Sequence, residues 1–108
     1  MDLPDTRILL STFPSENDAN GVIRHLLEER LIACGTMLPG ARSLYRWEGQ
    51  VEETVETIVL LKTNQENAAR CMVLLEELHP YEVPEIILLE PEAVSVPYTS
   101  WVGKALAK

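Results

Sequence analysis

Cysteine, histidine and positive charge are all scarce in this 108-residue chain, which has two Cys, two His and nine Lys or Arg. Each scarcity removes a class of function. Cys34 and Cys71 have no C-x-x-C partner and read as reduced thiols, not a disulfide framework; both fall on apolar patterns, where free cysteine behaves as a small hydrophobe. Nine scattered basic residues against 17 acidic ones give a net charge of −8, which argues against a nucleic-acid surface, since phosphate binding needs clustered Lys and Arg. No stretch approaches the ~20 apolar residues of a spanning helix, so no membrane is expected. The opening "MDLPDTR" lacks a basic segment followed by an apolar one, so the expected location is cytoplasmic. There is no GxxxxGK[ST] or GxGxxG phosphate loop, and no nucleophile can be matched to a base and its orienting acid. The expectation is a protein that is not an enzyme, with no catalytic residues.

What is present is ordinary globular material, 46% hydrophobic and 24% charged, sized for one domain over residues 1–108 that hides about two-thirds of its unfolded surface. About residues 1–6 read as a flexible N-terminal segment. "RILLSTF", Arg7 to Phe13, has strand length and stops at Pro14. Ser15 then stands at an N-cap position with Asp18 three residues on, and Ala19, Val22, Ile23, Leu26 and Leu27 recur at helical spacing. Gly21 within this helix is either a weakness or a mark of close packing. From Ala33 to Thr63 runs a long hairpin turning at "WEGQ", with a bend or bulge expected at Pro39–Gly40. A second helix is predicted over Thr63–His79, capped by Thr63 and Glu66, with a stripe of Ala68, Cys71, Met72, Leu75 and Leu78, and ended by Pro80. "EIILLE" reads as a central strand covered on both faces, and Tyr98, Trp101, Val102, Ala105 and Leu106 as a short helix beginning near Pro97.

The order β-α-β-β-α-β plus a terminal helix predicts an α+β, ferredoxin-like sandwich whose antiparallel sheet carries both helices on one face. Strands this apolar leave the other face uncovered, so homo-oligomerisation is expected.

Four stretches, "STFPSENDA", "LIACGTMLPGARSLYRWEGQVEE", "IVLLKT" and "LHPYEVPEII", resemble the CutA family of divalent-cation-tolerance proteins over about Ile8 to Trp101. The resemblance implies a cytoplasmic homotrimer whose long hairpins extend sheets across subunit boundaries, and an architecture like that of the PII signalling proteins. It also implies a response to divalent metal, copper among them. Members proposed to bind copper carry cysteine at the position of Ser11 and histidine at the position of Leu78, so only His79 matches that liganding set. Losing a thiolate and an imidazole weakens a copper site of this kind.

The candidate metal ligands are therefore His79 with Glu82 and Glu85, for copper or another divalent cation, weakly bound and not required. The competing account makes His79 a helix-terminal residue bonded to nearby carbonyls. Tyr45, Arg46, Trp47, Lys62 and Tyr81 form a candidate ligand cleft or an interface. His25 and Glu29 read as a solvated pair. Glu48, Glu52, Glu53 and Glu56 read as a soluble, charged hairpin edge. The alternative to metal tolerance is a PII-like signalling or scaffold trimer that binds a small molecule or a protein partner in its inter-subunit clefts.

Overall fold

Residues 4–108 are described by the computed structural model. Seven elements follow in order: β1 (Thr6–Phe13), α1 (Glu16–Glu28), β2 (Cys34–Trp47), β3 (Gln50–Asn64), α2 (Gln65–Leu78), β4 (Ile86–Leu89) and α3 (Val96–Leu106). All strand pairs are antiparallel, in the order β2-β3-β1-β4, so the fold is the expected α+β, ferredoxin-like one. Of the expected flexible start, residues 1–3 lie outside the described residues. Asp5 is already tied down, its carbonyl accepting from Gln65 N–H at 2.9 Å, and Thr6 opens β1.

Local chemistry sets the boundaries. Ser15 is extended (φ −153°, ψ 159°) and its Oγ accepts from the Asp18 N–H, while Glu16 and Asp18 sit at the positive end of the α1 dipole. The helix closes with paired bonds, Leu31 N–H to Leu26 O and Arg30 N–H to Leu27 O, with Arg30 left-handed at φ 54°. The cap of α2 differs from expectation. Asn64, not Thr63, accepts from the Asn67 N–H, because the ladder with β1 keeps the chain extended through the Thr6–Asn64 pair. Thr63 belongs to β3, and its hydroxyl donates to Leu31 O at 2.7 Å inside the core.

Glu48 and Gly49, at φ 48° and 81°, close the β2–β3 hairpin between the paired residues Trp47 and Gln50, as a two-residue turn with both φ positive does. The bulge falls at Pro39–Gly40, which together oppose Thr57 alone; Gly40 takes φ 76°. This one extra residue exchanges the faces of everything beyond it on β2.

Leu9, Phe13, Val59 and Leu61 from the sheet meet Ala19, Ile23 and Leu26 of α1 and Cys71 and Leu75 of α2, all buried. Gly35 is where β2 crosses α1: a Cβ there would stand 2.8 Å from Ile23 Cγ2. On the opposite face α3 buries Val102 and Leu106, anchored by the Thr6–Thr99 hydroxyl bond of 2.6 Å. β4 corrects the reading of "EIILLE" as a central strand. It pairs only with β1 and forms an edge, leaving Ile87 45% and Leu89 41% exposed. Among the described residues no helix is long and apolar enough to cross a membrane.

Candidate functional site

Where α2 ends, Pro80 forces His79 out of the helical region, and its backbone sits at φ −72°, ψ 135°. That turn drives the imidazole into the body beside the end of β1. The ring stacks on Phe13, with centroids 4.3 Å apart, and is almost fully buried. Both nitrogens are engaged. Tyr81 N–H donates to Nδ1 at 3.1 Å, so Nδ1 carries no proton and the hydrogen resides on Nε2. Nε2–H donates to Thr12 O at 2.9 Å, with Ser11 Oγ at 3.2 Å. Burial lowers the His79 pKa, against the opposing pull of the Thr12 carbonyl and the Glu56 charge.

The bond to Nδ1 fixes Tyr81, whose hydroxyl donates to Glu56 Oε2 at 2.8 Å. Burial and this carboxylate push the Tyr81 hydroxyl far above its ordinary pKa. Glu56, 8% exposed, stands on β3 just before Thr57, the residue opposite the bulge, and pairs with Ala41. It shares a sheet face with Thr54, Ser43, Tyr45 and Trp47, because directly opposed residues point the same way. Between this hairpin face and the segment after His79 lies a cleft of about 670 Å³, within the usual size for small-molecule sites. Tyr45, Trp47, Glu56, Tyr81, Glu82 and Glu85 are among its walls. A shallower hollow of about 410 Å³ lies between the end of α1 and α2, over Leu31, Val73 and Leu74.

The structure divides the sequence candidates. Tyr45, Trp47 and Tyr81 come together with Glu82 and Glu85. Arg46 lies on the opposite face of the hairpin, opposed to Val51. Lys62 is far along β3, its ammonium on Thr36 Oγ1 and 3.7 Å from Cys34 Sγ. The sequence pattern places Glu56 with the solvated hairpin carboxylates, yet it is buried, unlike Glu48, Glu52 and Glu53. The available signal was its place directly before the apolar run "TIVLL".

As a metal ligand His79 does not fit. A metal on Nε2 would displace its proton to Nδ1, where the Tyr81 N–H already points. Ser11 supplies a hydroxyl in place of a soft ligand. Among the described residues no three of His, Cys, Asp and Glu are grouped closely enough to hold an ion.

Residues 7–105 match the family described as CutA1 divalent ion tolerance protein. The divalent-cation tolerance protein CutA of Citrobacter koseri is 36% identical over 106 residues, covering 98% of this chain and 92% of the relative. Among solved structures, the CutA1 protein of Ehrlichia chaffeensis superposes with a TM-score of 0.93 at 28% identity, covering 99% of this chain and all of that one (100%). CutA of Xylella fastidiosa superposes with a TM-score of 0.91 at 38% identity over 95% and 99% of the two chains. With a fold, a length and a sequence that agree from end to end, this chain belongs to the CutA1 divalent ion tolerance family.

Proposed function

We propose that this protein serves divalent-cation tolerance as a cytoplasmic homotrimer and catalyses no reaction. The observation that carries the reading is the family match across residues 7–105. Two free cysteines, one of them buried, support a reducing compartment. The exposed apolar edge at β4 supports assembly.

Since His79 is committed to the backbone, direct contact with copper or another divalent cation falls to Glu82 and Glu85, hard oxygen donors suited to weak, exchangeable binding. Copper titration by calorimetry on the wild type, His79→Ala and the Glu82→Gln/Glu85→Gln double variant tests this. Weak binding that survives the first change and is lost with the second is expected. Tight stoichiometric binding abolished by His79→Ala would return the histidine to the ligand set. Growth of a deletion strain under copper challenge, with and without this gene, tests the tolerance itself.

The signalling-trimer alternative keeps one supporting observation, the cleft beside Tyr45 and Tyr81.

A further inference from the structure

The cleft has a chemistry of its own that metal tolerance does not explain. Every charged side chain in its wall is a carboxylate: Glu56, Glu82 and Glu85. Three aromatic side chains, Tyr45, Trp47 and Tyr81, share the same wall. Among the described residues the Glu56 side chain is bonded only by the Tyr81 hydroxyl, on Oε2, which leaves the charge on Oε1 to face a cationic guest, and the His79 bond in turn fixes Tyr81. An anion entering here would meet three negative charges, which argues against nucleotides. Among the described residues the carboxylates do not converge as a cage for one ion, so a bare metal is held there only weakly. A guest that satisfies both the rings and the carboxylates has a diffuse positive charge and apolar bulk.

We infer that this cleft binds an organic cation, an alkylammonium or quaternary ammonium head on a small apolar body. Aromatic faces attract such a head through their quadrupoles, and the buried Glu56 supplies the countercharge. The chain's net charge of −8 draws cations toward the mouth. The inference goes beyond the tolerance role and stands or falls separately from it.

The test uses choline and its uncharged isostere 3,3-dimethylbutanol as probes, by calorimetry and tryptophan fluorescence on the intact protein. Choline should bind at least about tenfold more tightly than the alcohol, with affinity falling as salt rises. The fluorescence change should persist in Trp101→Phe, which leaves Trp47 as the reporter, and vanish in Trp47→Leu. Glu56→Gln should weaken choline at least about tenfold and leave the alcohol unchanged. Because Trp47 is exposed at the hairpin end, Trp47→Leu keeps the test decisive if Glu56→Gln fails to fold. Equal binding of choline and the alcohol would overturn the inference. So would Trp47→Leu binding choline as the wild type does, or stoichiometric Mn²⁺ binding that excludes choline at matched ionic strength. Copper calorimetry and copper-challenged growth read the tolerance proposal independently.

Discussion

His79 joins the two halves of the site through one proton. With Nδ1 accepting from the Tyr81 backbone and Nε2 donating to Thr12, the neutral ring satisfies both neighbours and the charged ring cannot. Its pKa in the folded protein lies below the unfolded value of about 6.5. Well above pH 6.5 neither state is protonated and the full stability is present. Below it the unfolded chain takes up a proton that the folded one resists, so stability falls as pH drops toward and through the folded pKa. The thermal midpoint should therefore decline from pH 7 to 5, and the decline should be shallower in His79→Ala. That variant should also be less stable throughout by about 1–3 kcal/mol, from an unsatisfied Tyr81 N–H. Equal slopes in the two proteins would show that another group governs the decline. Cys71 offers a simpler check: burial pushes its thiol up to about 12, whereas Cys34 is partly exposed. A disulfide reagent should modify one thiol rapidly in the native protein, and Cys34→Ser should abolish that fast phase.

Elements were legible wherever a single residue type answers a single local demand. Pro14 followed by Ser15 allows little but a strand end and a helix cap, and "WEGQ" little but a tight turn. Thr63 and Asn64 are both competent caps, and the choice between them is made by β1, 58 residues away in sequence at Thr6, through the ladder that ends at Asn64. The bulge was visible as Pro39–Gly40, but its consequence was not. A single extra residue on β2 turns Tyr45 and Trp47 onto the face of Glu56 and Arg46 away from it. Glycines make the same point in energies. Nothing in the pattern around Gly35 marks it as a packing residue, yet a methyl group there meets Ile23. Gly35→Ala should destabilise by about 1–3 kcal/mol. Gly21 lies in the interior of α1 with nothing within 4 Å of an added Cβ, so close packing is not its purpose, and Gly21→Ala should stabilise by about 0.5–1 kcal/mol. Urea midpoints of the two variants should move in opposite directions.

At the scale of the whole molecule, two apolar surfaces on one subunit have no cover. The hairpin runs past the helix layer, and Leu44, Val51 and Val55, on the face that Arg42 and Arg46 share, are each 65% exposed. The second surface is the far side of the sheet at its β4 edge, where Ile87 and Leu89 lie beside Leu10 and Ile8; α3 reaches only part of that face. Two unlike patches on the same subunit are what a closed ring requires, since a heterologous contact joins different surfaces, whereas a twofold dimer needs one self-complementary patch. The open backbone of β4 adds unpaired hydrogen-bonding groups to the second patch. A three-membered ring is the expected species in sedimentation. Val55→Lys should disrupt it, because an ammonium has no partner in a dry apolar contact. Dissociated subunits should then melt earlier, at a midpoint that rises with protein concentration as association recovers. If Val55→Lys sediments as the wild type does and melts at a concentration-independent temperature, the hairpin face is solvent-exposed in the assembly, and the ring must be built from β4 and the far sheet face alone.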